Sequence, residues 1–450
     1  EGAGFDDTDP RNAYGPYFQR QRVEIYHTYA KSLVERGLAY PCFCTEEELD
    51  KVRAKQEEDK VLTGYYGEYA TCRNLSYEEI EANIKAGKPY VLRLRSQGSP
   101  DKEITFVDAI KGEIKLPENI HDIVLLKKDG IPTYHFAHAI DDHLMRTTTV
   151  VRGGEWLASA PIHYELFHLL GFKMPAYAHT AHLMKFDEET GGKRKLSKRK
   201  DPELSLDYYR KDGYHPYTMK VYLLTLLNSN FEEWHEKFPD KDINEFPFSV
   251  EKMNQSGALF DKDKLHNICK NELSKLSEEE LYDFLYDWAK ENEPENVEKW
   301  FSDREKMLQI LRLYMGVGAK RRRKDLMYAK QIFELISYFF DGESAEEMDE
   351  FKLDEDMVSK ILKSYLAKYD HNDDNSVWFN KLKEIADEHG FASDMKAYKA
   401  NPENFKGNVS DIAEAVRIAV TGRANTPDLW TIVHIMGEEQ MTERIKKHIK

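Results

Sequence analysis

Residues 191–199 have the sequence Gly191-Gly192-Lys193-Arg194-Lys195-Leu196-Ser197-Lys198-Arg199, and no other stretch says more about the fold. The two glycines favour a mobile loop, because glycine has no Cβ to restrict its backbone. The lysines that follow place point charges where phosphate oxygens can be neutralised as charge builds in a phosphoryl or adenylyl transition state. The alternative is a solvated lysine-rich loop, which a Lys-x-Ser-Lys pattern alone does not exclude.

The sequence before this stretch has the pattern of an α/β sheet. A strand is predicted at Thr148–Arg152 and a helix at Pro161–Leu170, which ends at Gly171. Near the start of the chain, residues 5–10 (FDDTDP) resemble a strand end that runs into a turn, and a helix is predicted over Phe18–Arg36. These two parts predict one α/β sheet that is split by an insertion.

Between the two α/β parts the pattern is that of short strands, and after Tyr208 it is helical. Strands are predicted at Tyr90–Arg95, Ile104–Val107, Glu113–Leu116, Ile123–Leu126 and Pro132–Phe136. Amphipathic helices are predicted at Val221–Leu227, Leu276–Trp288, Glu305–Tyr314, Ala329–Phe340 and Met357–Tyr369, followed by two more that carry Ile412 and Trp430. The sequence therefore predicts a β-rich insertion and an all-helical C-terminal region.

Composition restricts the function. The chain has 450 residues, of which 41% are hydrophobic, and no apolar run approaches the about 20 residues that span a bilayer. Four cysteines in so long a chain do not form a secreted disulfide framework, so a cytoplasmic protein without a membrane role is expected. The formal net charge of −16 argues against a polyanionic partner, except at the basic runs 193–200 and 320–324, where nucleic acid would bind first.

Five ordered strings resemble one protein family. Residues 191–199 resemble the second signature of the class I aminoacyl-tRNA synthetases, in its Lys-Leu-Ser-Lys-Arg form. The glutamyl and glutaminyl branch of that family is matched by GIPTYHFA at 130–137 with DDHLM at 141–145, by VRGGEW at 151–156, by FDDTDP at 5–10 and by GALFD at 257–261. The chain is similar to the bacterial-type glutamyl-tRNA synthetases.

The resemblance implies a split α/β Rossmann-type catalytic domain with a β-rich insertion, followed by an all-α C-terminal anticodon-binding domain. The expected domains are 1–40, a remnant of the first half of the catalytic domain; 41–135, the insertion that binds the acceptor end; 136–210, the second half; 211–300, a helical region that contacts the tRNA stem; and 301–450, the anticodon-binding domain. Nothing in the chain matches the family's first signature, a His-x-Gly-His-like segment that binds the ATP phosphates. An N-terminally truncated chain that is inactive by itself is therefore expected.

The resemblance also implies a glutamate site formed by Asp6, Tyr134, His138 and Arg152. Asp6 would attract the substrate ammonium group, and Tyr134 would supply an aromatic wall. The planar guanidinium of Arg152 would pair with the side-chain carboxylate, because a neutral amide would leave that charge unpaired. Structural roles are the alternatives: Asp6 could cap a turn, Tyr134 or His138 could be a core residue, and Arg152 could belong to a structural ion pair.

For the loop at 195–199 the resemblance implies ATP binding. The implied ATP-binding residues are Lys195, Leu196, Ser197, Lys198 and Arg199, of which Lys195, Ser197 and Lys198 would act in catalysis together with Mg²⁺. The family forms glutamyl-adenylate from L-glutamate and ATP and then transfers the acyl group to the terminal ribose of tRNA, without a protein nucleophile. The expected acceptor is tRNA(Glu), whether tRNA(Gln) is also charged stays open, and a monomer is expected.

Three clustered cysteines suggest a metal. Cys42-x-Cys44 is followed by Cys72, and thiolates at such spacing can bind zinc together with a fourth ligand. Some relatives carry zinc at this place on Cys, Cys, Tyr and Cys, so the implied Zn²⁺ ligands are Cys42, Cys44, Tyr69 and Cys72. Tyr69 precedes the last cysteine by three residues rather than the family's four, which keeps Tyr65 and Tyr66 as candidates. The alternative is three buried or incidental thiols.

The basic run at 320–324 is the predicted contact with the tRNA stem or anticodon arm. It offers Arg321, Arg322, Arg323 and Lys324, whose charges can neutralise phosphates. The alternative is a solvated helix face. For the chain as a whole, the rival hypothesis is a non-catalytic tRNA-binding fragment, because the segment that would bind the ATP phosphates is absent from the sequence.

Overall fold

The computed structural model describes residues 14–187, 189–197, 199–255, 257–340 and 348–450, so the predicted site residues Asp6 and Lys198 lie outside the described residues. The chain divides into two compact units. The first comprises residues 1–195 and 226–259, and the second comprises 196–225 and 260–450. Within the described part of the chain, a helix of the length and apolarity needed to cross a membrane is not found.

The first unit combines short strands with a few helices. In chain order its elements are α1 Val23–Glu35, β1 Ala39–Cys42, α2 Glu46–Glu58, α3 Tyr77–Lys85, β2 Val91–Leu94, β3 Glu103–Asp108, β4 Gly112–Pro117, β5 Val124–Leu126, α4 Tyr134–Leu144, β6 Thr149–Gly153, α5 Ala160–Leu170, β7 Ala176–Thr180, β8 Leu183–Phe186, β9 Lys193–Lys195, α8 Phe231–Lys237 and β10 Ala258–Leu259. Helix α5 has a proline in its first turn, and Gly171 ends it in the left-handed conformation (φ 72°), as the sequence predicted.

The strands form three small sheets. The order β1-β2-β5 is antiparallel, β10-β8-β9 is mixed, and the four-stranded sheet has the order β4-β3-β7-β6. In the last sheet β7 runs parallel to both β3 and β6, and Arg152 of β6 lies opposite His179 of β7. Because neighbouring residues of paired strands project to the same face, this register brings the two side chains together.

Two features of this unit differ from the prediction. Residues Pro132–Phe136 are not a strand, because α4 begins at Tyr134 and buries Phe136, Ala137 and Ile140 at helical spacing. The hairpin β3–β4, predicted within the insertion, joins the same sheet as β6 and β7. Short apolar segments do not distinguish a strand from the start of a helix, and local pattern does not reveal which sheet a hairpin joins.

The second unit is helical. Its helices are α6 Leu206–Asp212, α7 Pro216–Leu227, α9 Lys262–Leu273, α10 Glu278–Asn292, α11 Val297–Phe301, α12 Arg304–Met315, α13 Ala329–Ile336, α14 Glu355–Lys368, α15 Asn375–His389, α16 Met395–Ala400, α17 Val409–Thr421, α18 Leu429–Met436 and α19 Glu438–Lys446. Asp354, Asp374 and Asp428 cap helix N-termini with their side chains. One continuous core, with Leu311, Ile361, Leu382, Ile412 and Ile432 fully buried, holds together the helices α10–α15 and α17–α19.

Candidate functional site

A cleft of about 930 Å³ opens beside the first turn of α4. Tyr134, His138 and Asp142 line it from one face of the helix, because residues four apart lie above one another. The Tyr134 ring is 47% exposed and stacks on the His138 ring, with centroids 5.5 Å apart. Tyr134 is therefore a wall of the cleft rather than a core residue.

His138 is buried at the bottom of this face. Its Nδ1 lies 2.9 Å from Oδ2 of Asp142, and its Nε2 lies 2.7 Å from the hydroxyl of Tyr177. The contact with Tyr177 is a hydrogen bond, whereas Oδ2 of Asp142 is a close neighbour that is not hydrogen-bonded within the described residues. The ring itself lines the cleft. His138 is therefore a buried residue that also lines the cleft, so its burial does not decide between the two roles that the sequence left open.

Arg152 projects from β6 into a group of buried rings. Its Nε donates to Nε2 of His179 at 3.0 Å, its Nη1 donates to Nδ1 of His163 at 3.1 Å, and its Nη2 contacts the carbonyl oxygen of Trp156 at 3.4 Å. The guanidinium carbon also lies 4.8 Å from the ring centre of Tyr177. None of these partners is a carboxylate. Among the described residues, Arg152 therefore does not form the structural ion pair that was the alternative.

Arg152 is not part of the lining of the cleft itself. Trp156 connects the two, since its ring centre is 4.7 Å from that of Tyr134 and 5.9 Å from the Arg152 guanidinium carbon. His163 lies between them as well, with its ring centre 6.1 Å from that of Tyr134. The predicted glutamate-site residues Tyr134, His138 and Arg152 therefore belong to one contiguous group of side chains.

The histidines around Arg152 are held uncharged. Burial, followed by the proximity of His138 and Arg152, lowers the pKa of His163 to about 2. Burial also lowers the pKa of His135, whose Nδ1 lies 2.9 Å from Nε2 of His163. The pKa of His179 is lowered by burial although Asp108 opposes the shift. Arg152 is thus the member of this group that stays positively charged, because a guanidinium is not deprotonated in proteins.

The predicted ATP loop begins with a hairpin rather than a loose loop. Gly191 has a φ of +67° in the turn between β8 and β9, and Lys193–Lys195 forms the strand β9. The Nζ of Lys195 is exposed, 3.6 Å from Glu155 and 3.4 Å from Nε2 of His182. The next residue, Leu196, is buried.

Ser197 lies in a tight turn after this strand. Its backbone N–H donates to Oδ2 of Asp201 at 2.7 Å, and its Oγ accepts from the N–H of Arg199 at 3.4 Å. Arg199 itself is exposed. The turn is thus held by its own backbone and by the buried Asp201.

The three cysteines converge as predicted, but the tyrosine beside them is Tyr65. The Sγ atoms of Cys42, Cys44 and Cys72 all lie within 4.8 Å of one another. The Tyr65 hydroxyl is 3.4 Å from Cys42 Sγ and 3.3 Å from Cys44 Sγ. Tyr69 instead donates its hydroxyl to Asp59 at 3.1 Å, so the choice of Tyr69 as the fourth ligand does not match this geometry.

The donor set fits zinc. The three sulfur atoms are close enough to one another to bind a single zinc ion, and cysteine sulfur is a preferred zinc ligand. Cys42, Cys72 and Tyr65 are buried, and Cys44 is partly exposed. Three sulfurs and a phenol oxygen give the four ligands of a closed structural site.

The basic run at 320–324 lies in a loop between α12 and α13, not on a helix face. Arg323 pairs with Asp325, and the Nζ of Lys324 donates to Asn271 at 2.7 Å. Arg321 and Arg322 are exposed. A groove of about 700 Å³ is lined by Arg312, Arg321, Arg323 and His434, among others.

Sequence reasoning missed the residues that hold Arg152. These are His163 on α5 and His179 on β7, with Asp108 at the end of β3 bonded to His179, and each is buried. The signal available was weak: His163 shares the buried face of α5 with Phe167, and a lone histidine on an apolar face is usually structural.

Comparisons with known proteins find a catalytic domain followed by an anticodon-binding domain. The family model "tRNA synthetases class I (E and Q), catalytic domain" matches residues 4–267, and the model "Anticodon binding domain" matches residues 280–449. Glutamate–tRNA ligase of Acetivibrio thermocellus is 53% identical over 99% of this chain and 81% of its own length. That of Clostridium perfringens strain SM101 is 46% identical over 98% of this chain and 80% of its own.

A solved structure agrees with these relatives. The crystal structure of a glutamate tRNA ligase from Elizabethkingia meningosepticum in complex with its amino acid superposes with a TM-score of 0.73 at 26% identity, over 96% of this chain and 84% of that one. A class I catalytic domain followed by a helical anticodon-binding domain is thereby confirmed. These matches do not support the expectation that the first half of the catalytic domain is missing. The chain belongs to the glutamate–tRNA ligases, within the class I tRNA synthetases for glutamate and glutamine.

Proposed function

We propose that this chain ligates L-glutamate to tRNA at the expense of ATP, with Arg152 as the residue that recognises the side-chain carboxylate of glutamate. The observation that carries the proposal is the state of Arg152: a permanent cation held by neutral partners, beside the aromatic wall of the cleft. A carboxylate can pair with this guanidinium in bidentate fashion, whereas the amide of glutamine cannot neutralise it. Tyr134 and His138 form the wall against which the amino acid lies, and Asp6 attracts its ammonium group.

The reaction needs no nucleophile from the protein. The α-carboxylate of glutamate attacks the α-phosphorus of ATP, releases pyrophosphate and forms glutamyl-adenylate, and the terminal ribose of tRNA then takes the acyl group and releases AMP. Lys195 and Lys198 neutralise the charge that develops on the phosphates, and the residues from Leu196 to Arg199 bind ATP. Mg²⁺, when bound with ATP, adds positive charge at the same phosphates. The alternative of a non-catalytic tRNA-binding fragment is not favoured by the relatives of this chain.

Zn²⁺ is a proposed structural ligand of the first unit. Cys42, Cys44, Cys72 and Tyr65 would hold it, and bound zinc would tie β1 to the segment around Cys72. The support is the convergence of three sulfurs and one hydroxyl in a mostly buried cluster.

The second unit supplies the tRNA contact. Arg321, Arg322, Arg323 and Lys324 are proposed to contact phosphates of the stem or anticodon arm, with tRNA(Glu) as the substrate. A monomeric state and a cytoplasmic location remain predictions. Whether the chain also charges tRNA(Gln) remains open.

The test is ATP–pyrophosphate exchange with glutamate or glutamine, with and without tRNA. We expect exchange with glutamate only, and an Arg152→Gln variant should lose it by about 100-fold or more, because a buried charge pair is removed. Arg53→Gln, an exposed arginine on α2, is the control and should exchange normally. Equal exchange with glutamine, or full activity of Arg152→Gln, would contradict the assignment. Binding of tRNA without exchange of either amino acid would favour the binding-only alternative.

A further inference from the structure

Arg152 is held on three sides by partners that fix its orientation. Arginine has five N–H donors and accepts nothing, so each ring nitrogen that faces it must carry a lone pair. Nδ1 of His163 and Nε2 of His179 are therefore both unprotonated. With the carbonyl of Trp156 on Nη2, one N–H of each guanidinium nitrogen is engaged.

The protonation of each histidine follows from this geometry. The proton of His179 lies on Nδ1 and is donated to Oδ2 of Asp108 at 2.6 Å. Asp108 is 1% exposed, and its other oxygen accepts from the backbone N–H groups of Ile110 and Lys111, each at 2.9 Å. Burial opposes ionisation of Asp108, but these hydrogen bonds lower its pKa, so it is a carboxylate that anchors His179. The proton of His163 lies on Nε2 and is directed at Nδ1 of His135.

Two N–H groups remain on Arg152, one on Nη1 and one on Nη2, and within the described ranges no residue engages them. These two N–H groups are the donors left for a substrate carboxylate, and they are called the fork of Arg152 below. Their direction is set by the three engaged N–H groups, because the guanidinium is planar and rigid. A guanidinium without these acceptors could turn about its side-chain torsions and present a different edge.

We propose that His163 and His179, the latter anchored by Asp108, are positioning residues that hold the fork of Arg152 toward the substrate and thereby set the preference for glutamate over glutamine. The proposal rests on the proposed function, since it requires that Arg152 binds the substrate carboxylate. Neither histidine touches the substrate. Each acts through Arg152, by offering a neutral acceptor at a fixed place.

Leucine and asparagine at position 163 provide a matched test. The two side chains have nearly the same shape, but asparagine places Oδ1 where His163 has Nδ1, whereas leucine offers no acceptor. His163→Leu should raise the KM for glutamate about tenfold and lower the glutamate-to-glutamine ratio of kcat/KM by a similar factor, with kcat and the KM for ATP nearly unchanged. His163→Asn should recover most of both effects. His168→Leu, an exposed position on the same helix, is the control.

The assay is tRNA-dependent ATP–pyrophosphate exchange on the intact chain, together with equilibrium dialysis of labelled glutamate and glutamine. If the leucine and asparagine variants have the same glutamate-to-glutamine ratio, the positioning role is wrong. If both fail to fold by circular dichroism, the isosteric pair His179→Met and His179→Gln carries the same test, since only glutamine keeps an acceptor near Nε2. Arg152→Gln separates the two hypotheses. Unchanged glutamate binding by that variant would overturn the proposed function itself. If Arg152→Gln loses binding but His163→Leu and His163→Asn have the same glutamate-to-glutamine ratio, only this inference is overturned.

Discussion

The hydroxyl oxygen of Tyr65 lies 3.3 Å from the Sγ of Cys44. The same oxygen is 3.4 Å from Cys42 Sγ and accepts from the backbone N–H of Cys72 at 2.9 Å, so it contacts all three cysteines of the cluster. The guanidinium of Arg93 stacks 4.0 Å from the ring centre of Tyr65 and helps to keep the ring in place. A phenol oxygen is thus fixed where a fourth ligand would complete the proposed zinc site.

Tyr65→Phe should weaken zinc binding about tenfold or more, because it removes one donor atom and leaves the ring packing unchanged. Competition with a chromophoric chelator measures the affinity. Tyr69→Phe is the matched control and should bind zinc as the unmodified chain does, since its hydroxyl is engaged with Asp59. A chain in which only Tyr69→Phe loses zinc would restore the assignment made from the sequence.

The cysteine cluster also illustrates what the sequence can predict. Cys42, Cys44 and Cys72 were candidates from the sequence because thiols at such spacing can bind zinc, and the three sulfur atoms do lie close together. The tyrosine was not, because spacing along the chain says nothing of side-chain direction. A single turn of 3₁₀ helix at Gly67–Tyr69 directs the Tyr69 hydroxyl to Asp59 instead. The position of a ligand in a loop depends on the turn, and a turn of three residues has no hydrophobic period to predict it.

The residues that contact Arg152 were likewise not predictable from the sequence. Strand β6 and helix α5 were predicted nearly to the residue, because both have clear apolar patterns and α5 ends at a glycine. The histidine partners of Arg152 come from α5 and β7, and the register of β6 against β7 decides that His179 is one of them. Register across a parallel sheet depends on tertiary packing, so the pairing of Arg152 with His179 could not be predicted from either strand alone.

Lys195→Ala should lower kcat for ATP–pyrophosphate exchange about 100-fold, if its charge stabilises the phosphates in the transition state. The Nζ of Lys195 is exposed, and its partners are His182 at 3.4 Å and Glu155 at 3.6 Å, so the substitution removes little that stabilises the fold. Lys193→Ala, two residues earlier on the same strand and also exposed, is the control. Equal losses in both variants would indicate a general effect of the hairpin's charge rather than a role for Lys195.

Glu165 should make the first unit less stable as the pH rises. Burial raises the pKa of its carboxyl above the ordinary 4.5, although Asn119, Gln97 and Ser96 donate hydrogen bonds that oppose the shift. A carboxyl with a higher pKa in the folded state contributes stability below pH 4.5 that is lost as the pH rises through its folded pKa. Glu165→Gln removes this titration. The Tm of the variant minus that of the unmodified chain should therefore be a few degrees larger at pH 8 than at pH 5.

Thermal unfolding by circular dichroism at both pH values measures this difference. The control is Glu113→Gln, an exposed glutamate on β4, whose Tm should follow that of the unmodified chain at both pH values. A Tm difference for Glu165→Gln that is the same at pH 5 and pH 8 would show that Glu165 does not titrate differently in the folded state.

Arg321→Ala combined with Arg322→Ala should raise the KM for tRNA about tenfold while leaving the KM for glutamate unchanged. These two arginines are exposed in the loop between α12 and α13, whereas Arg323 and Lys324 already have partners in Asp325 and Asn271. Each lost phosphate contact should also reduce the slope of log affinity against log salt by about one. Lys396→Ala combined with Lys399→Ala removes the same charge from exposed positions on α16 and is the control. If both double variants weaken tRNA binding equally and with the same salt dependence, the loop makes no specific contact and its charge acts only through the general field of the second unit.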